Sequence, residues 1–190
     1  MTWRTPDEAW SVSRPRDHWY VPTSEFALRS LGVGAGKCLV IGSPLFEASE
    51  IADAGWAVTY LDVREAPADD QRVTFLRHDA CELPFADETF NAVSTSCVLC
   101  HAGMGRYGEE ERAGADVLIL GEIRRVLKRT GRAAVTFGPV GEVAGSDTSH
   151  RIYTLSDARR MVRVAGLVED AHEITGGYAL DYLSMLLRRI

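Results

Sequence analysis

Gly42 and Asp62 stand twenty residues apart, and each closes an apolar run. Cys38-Leu39-Val40-Ile41 stops at Gly42-Ser43-Pro44, and Ala57 to Leu61 stops at Asp62. A glycine turn followed about 20 residues later by an acid suits the holding of a nucleoside. The turn lets the backbone meet the ligand, and the acid accepts hydrogen bonds from ribose hydroxyls. Between the two lies Phe46 to Ala54, with helical patterning, and then Gly55. The stretch reads as strand, turn, helix, strand, with an acid at the second tip. Ligands of open α/β sheets sit outside the carboxyl ends of the strands, so the spacing points to a nucleoside-bearing cofactor. A second chemical spacing is Cys97-Val98-Leu99-Cys100, which suits redox work or half of a zinc site. Cys38 and Cys81 supply no second pair, and the segment also reads as the end of a buried strand, where Cys acts as a small hydrophobe.

The elements that must position these residues follow in order. Residues 1–23 are predicted to form an aromatic arm or lid, with a helix start at Thr5-Pro6-Asp7-Glu8 and the cluster His18-Trp19-Tyr20. Residues 24–190 are predicted to form one domain. Ser24 is expected to cap a helix over 25–31. Val73 to His78 reads as a third strand ending on Asp79, and Asn91 to Val98 as a fourth. The glycine-rich stretch 99–115 is irregular and long enough to suggest a functional loop. Val117, Leu120, Ile123, Val126 and Leu127 have helical spacing, so a helix is predicted over 116–129 with Gly131 just past its end. A fifth strand runs from Arg132 to Phe137. Val140 to Arg151 is a second polar loop. Thr154 to Asp157 has capping-box spacing and opens a helix to Gly166. Leu167–Ile174 and Tyr178–Arg189 read as two strands about a Gly176-Gly177 turn. The alternation implies an α/β fold: a Rossmann-like, doubly wound, mostly parallel seven-stranded sheet with a C-terminal antiparallel hairpin.

Composition narrows the partners. The chain has 190 residues, 46% of them apolar, enough for one full core. A net charge of −6 argues against nucleic acid, which needs clustered Lys and Arg. The basic group Arg124-Arg125 with Lys128-Arg129 is expected to complement a helix dipole. No apolar run reaches the roughly 18 residues of a membrane span, and the first residues lack a signal-peptide core, so a cytoplasmic protein with no membrane partner is expected. An edge strand and an aromatic arm would permit a homodimer.

Several stretches together resemble the class I S-adenosylmethionine (SAM)-dependent methyltransferases, of the type 11 kind. Asp62 matches the acid that holds the ribose there. Asp79-Ala80 with Leu83-Pro84-Phe85 is similar to the segment against adenine. Phe90-Asn91-Ala92-Val93-Ser94 resembles the family's F-D-x-V fourth strand. Glu122-Ile123-Arg124-Arg125-Val126-Leu127-Lys128-Arg129-Thr130-Gly131-Arg132 is similar to the family's E-x-x-R-V-L-K-P-G-G helix and turn, the most specific of these matches. A narrower likeness is carried by Gly42-Ser43-Pro44, His101 to Gly108, Asp116 and His150 to Tyr153. It is to an uncharacterised subgroup associated with polysaccharide biosynthesis, and it implies a sugar or glycan acceptor. The resemblance implies SAM as cofactor, held by Gly42, Ser43, Glu47, Asp62, Asp79, Ala80 and Ser96. The first loop departs from the family's acid-x-Gly-x-Gly-x-Gly: those positions hold Val40, Gly42, Pro44 and Phe46. Pro44 has no N–H to offer; either Glu47 or another group takes over from the missing acid, or SAM binding is weak.

Methyl transfer from a sulfonium asks the protein to orient the acceptor and remove its proton. Imidazole suits an alcohol acceptor because it titrates near neutral pH. By the same resemblance His101, after the fourth strand, and His150, after the fifth, are the candidate bases. Asp116 is read as a helix cap or as a group that orients a sugar hydroxyl. No metal site is expected. Three other readings compete. A nicotinamide-dependent oxidoreductase or epimerase would need Gly-x-Gly-x-x-Gly in the first loop or a Tyr-x-x-x-Lys pair, and neither is present. A non-catalytic binding or scaffold protein would keep the fold with a degenerate loop. A redox or zinc protein would use Cys97 and Cys100.

Overall fold

Cys38 to Ile41 can be buried on both faces because every side chain in the run is apolar, the pattern of a central parallel strand. A computed structural model describes residues 20–65, 70–146, 150–176 and 180–190. In it β1 (Lys37–Ile41) lies between β2 (Ala57–Asp62) and β4 (Phe90–Ser96), and β3 (Val73–Arg77) forms one edge. Two further long strands, β5 (Leu127–Val140) and β9 (Asp181–Arg189), continue the sheet to β8 (Leu167–Gly176), giving the order β3-β2-β1-β4-β5-β9-β8. The first five strands are parallel, and β9 runs antiparallel to both neighbours. The expected doubly wound, seven-stranded sheet with its C-terminal antiparallel pair is therefore the fold.

Helices cover both faces. α1 (Tyr20–Leu31) and α2 (Leu45–Asp53) pack on the side where Cys38, Val40, Val58 and Tyr60 point. α3 (Ala115–Val126) and α4 (Leu155–Val164) bury Leu39, Ile41, Leu61 and Val93 on the other. α4 is capped as expected, with the Thr154 side chain accepting from the Asp157 N–H.

Several boundaries differ from the sequence reading. α1 begins at Tyr20, so Ser24 lies inside the helix, and the expected break at residue 23 falls within its first turns. The remainder of the expected arm, with Thr5, His18 and Trp19, lies outside the described residues. α3 ends at Val126 rather than Arg129, because Leu127 turns extended (φ −77°, ψ 131°) and pairs with Phe90. Gly131 is consequently no helix cap; it closes on Leu127 and the Asn91 carbonyl. Arg125 does not idle at the helix end either: it donates to the carbonyls of Leu83 and Phe85 and to Glu122, while Glu122 accepts from the Leu83 N–H. β5 runs on to Val140, and the loop after it carries a two-residue ladder, β6 (Gly145–Ser146) with β7 (Arg151–Ile152).

Candidate functional site

The carboxyl ends of β1 to β4 are stitched into one edge. Gly42 N–H donates to Leu61 O at 2.8 Å, and His78 N–H donates to Asp62 O at 3.0 Å. The Ser96 N–H reaches Ser43 Oγ at 2.9 Å, and the Tyr60 hydroxyl donates to Ser43 O at 2.7 Å. Gly42 sits at φ +55°, and a Cβ there would come within 2.7 Å of Val98, so the turn is both left-handed and crowded. Asp62 and Asp79 stand at adjacent tips. Asp79 is exposed, with Oδ1 accepting from the Cys81 N–H at 2.8 Å, and Ala80 is buried beside it. Asp62 is 4% exposed and is bound by Arg64: Nε to Oδ1 at 2.9 Å, Nη2 to Oδ2 at 2.7 Å. Burial works against the Arg64 charge, but the hydrogen bonds and attraction of Asp62 outweigh it and raise its pKa.

Glu47 faces inward. It is fully buried and accepts from Ser24 at 2.8 Å and from Ser94 and Ser96 at 2.7 Å each. Burial raises its pKa, and the serine hydroxyls offset part of that rise. The carboxyl thus fastens α1, α2 and β4 beneath the Gly42 turn rather than standing in for the missing loop acid at the surface.

Beyond these tips, β4 leaves the sheet through Cys97, a non-glycine residue at φ +60°. Cys97 and Cys100 are buried thiols outside any disulfide; the Cys100 thiol donates to the Cys97 carbonyl. Burial pushes the Cys97 thiol far above its ordinary value, so it has the character of a core residue rather than a nucleophile. Among the described residues no group of three or more His, Cys, Asp or Glu could hold a metal. Arg151 donates to the carbonyls of Leu99 and Ala102, and the Tyr153 hydroxyl shares its one hydrogen between Leu99 O and Asp116 Oδ2, both at 3.0 Å. These bonds tie the loop after β4 to the segment after β5. The tie brings His101 and His150, 49 residues apart in the chain, to a ring separation of 4.6 Å. Both are buried, and Tyr107 lies edge-on to His101 at 5.9 Å. Asp116 is not the N-cap of α3, which is Gly114; it lies in the first turn, where Oδ1 accepts from the Val117 N–H.

A family model described as Methyltransferase domain matches residues 39–135. The chain belongs to that family. The chain is 27% identical over 168 residues to the demethylmenaquinone methyltransferase of Clavibacter sepedonicus; the match covers 88% of this chain and spans 62% of that relative's length. Among solved structures it resembles the 1,6-didemethyltoxoflavin-N1-methyltransferase of Burkholderia thailandensis, bound to 1,6-didemethyltoxoflavin and S-adenosylhomocysteine. That TM-score is 0.76 at 18% identity, covering 92% of this chain and 79% of that one. The cyclase SpnF aligns with a TM-score of 0.71 at 20% identity, covering 93% and 84%. At these identities the likeness to solved structures is one of fold.

SAM is the cofactor this family implies, and the residues present fit its adenosyl half. Asp62 sets a carboxylate, held by Arg64, at the β2 tip, Asp79 a second at the β3 tip, and Gly42 a turn that admits no side chain. The methionyl half meets Pro44, which caps α2 and carries no N–H, and Ser43 and Ser96, whose polar atoms already bond one another. Sequence reasoning missed Arg64, Tyr60, Tyr107 and Ser94. An arginine two residues past a candidate ribose acid is a signal that could have been read. The serines opposite Glu47 left none, since a strand serine at every second position also suits a solvated face.

Proposed function

We propose that this methyltransferase is SAM-dependent and methylates a hydroxyl of a small-molecule acceptor, with a sugar or glycan the class suggested by its sequence likeness. When bound, the cofactor supplies the electrophilic methyl group. The chain's own residues do the rest. Asp62 accepts from the ribose, and Asp79 with Ala80 borders the base. His101 and His150 take the acceptor proton, one imidazole receiving it and the other orienting the first. Burial of both rings keeps water from competing. The observation that carries this reading is the convergence on one sheet edge of two acidic tips and, beyond them, a paired imidazole. The relative and the toxoflavin enzyme support methyl transfer to a small molecule, since both names describe it.

A second reading, a non-catalytic protein with this fold, is favoured by one observation: Arg64 occupies the Asp62 oxygens while Pro44 replaces a loop glycine. Calorimetric titration separates the two. SAM and S-adenosylhomocysteine should bind in the micromolar range while NAD and NADP do not, and Asp62→Ala should abolish the binding. Acceptor screening then starts with nucleotide sugars. Binding of NAD in place of the adenosyl ligands overturns the proposal, and no binding of any favours the scaffold.

A further inference from the structure

The β2 tip is filled by the protein itself. Arg64 folds back on Asp62 and meets both oxygens as a fork, with its own backbone N–H adding a third bond to Oδ1 at 2.9 Å. A planar fork on a carboxylate is the strong, geometrically specific form of this pair. The Arg64 guanidinium also lies over the Tyr107 ring, 4.8 Å from its centroid, within cation–π range. Tyr107 in turn is edge-on to His101. One guanidinium therefore joins the acid at the nucleoside end of the site to the ring beside the acceptor-side histidine.

Ribose hydroxyls and the Arg64 fork are donors to the same two oxygens, and a carboxylate accepts both only by giving up part of the fork. We propose that Arg64 is a latch on the nucleoside site: it competes with the ribose hydroxyls for Asp62 and so sets cofactor affinity, while Tyr107 holds the guanidinium in the latched position. The proposal rests on the reading of Asp62 as the ribose acid. It makes Arg64 a residue that tunes affinity, not one that touches the reacting atoms. It also predicts that the effect depends on the ribose hydroxyls, which a merely structural arginine would not.

Calorimetry on the full chain tests this, with wild type, Arg64→Ala, Arg64→Lys and Tyr107→Ala titrated against S-adenosylhomocysteine, adenosine and 2′,3′-dideoxyadenosine. Arg64→Ala should bind the first two about 3- to 10-fold more tightly, a gain held below that of a fully buried charged pair by the partial exposure of Arg64. Lys keeps the charge without the fork and should fall between. Tyr107→Ala, which removes only the catch, should gain less in the same direction. Dideoxyadenosine should not change. If wild type binds S-adenosylhomocysteine and Arg64→Ala binds it equally or more weakly, the latch is wrong and the cofactor reading stands. An equal gain for dideoxyadenosine also overturns the latch, because relief of bulk would then explain it. Binding by no variant removes the ribose reading and the latch together.

Discussion

Glu47 shows how far a single side chain can be from the role its type suggests. An acid just after the glycine turn looks like a ligand group, yet this one is sealed from water and saturated by three serine hydroxyls. Burial favours its protonated form in the folded protein, raising its pKa above the ordinary 4.5. The folded state therefore keeps this proton longer than the unfolded chain does. The resulting stabilisation is complete below about pH 4.5 and is lost as pH rises through the raised folded value. Glu47→Gln, which keeps the shape without the charge, should gain on the wild type in unfolding free energy as pH rises through that window. Urea denaturation at a series of pH values reads this directly, and a difference independent of pH would contradict the assignment. The neighbouring thiols Cys38 and Cys97 and the Tyr60 hydroxyl feel the same charge, which adds to the burial that raises their own pKa values.

At the scale of elements, the pairing of His101 with His150 depends on how closely the ends of β4 and β5 approach. Gly138 sits in β5 at φ +125°, and a Cβ there would lie 2.5 Å from that of Cys100. Gly138→Ala should destabilise the fold by about 1–3 kcal/mol through strain and overpacking, measured as a fall in unfolding free energy. The strand itself was legible as an apolar run closing at a glycine. The contact was not, because Cys100 belongs to a different element. The same holds for Glu122 and Arg125: their motif is plain in the sequence, and so is Leu83-Pro84-Phe85, but only the fold joins the two by hydrogen bonds across some forty residues. α3 lost its last expected turn for a related reason. Helical spacing continues through Leu127, yet the bond to Phe90 draws that residue into the sheet, where it is fully buried.

At the scale of the whole molecule, the site is an agreement between separate crossovers of one sheet. His101 follows β4 and His150 follows β5, and the Arg151 and Tyr153 bonds to Leu99 and Ala102 hold the two loops together. If the imidazoles act as a unit, His101→Asn and His150→Asn should each slow turnover about 10²–10⁴-fold, and the double variant should lose little more than the worse single one. Steady-state release of S-adenosylhomocysteine measures this once an acceptor is found. Additive losses would mean two independent roles.

By itself the sequence determined the order of strands and helices, the Gly42 to Asp62 spacing and the Asp79 tip. These are written in local periodicity and turn chemistry, which short stretches of chain carry alone. It also carried the family, through motifs whose residues are near neighbours in the chain. Tertiary structure decided that Glu47 faces the core, that Arg64 closes on Asp62 and that His101 meets His150. Such facts are set by which faces and loop ends of the folded sheet come within hydrogen-bond or ring-contact distance, a property no local window of residues contains.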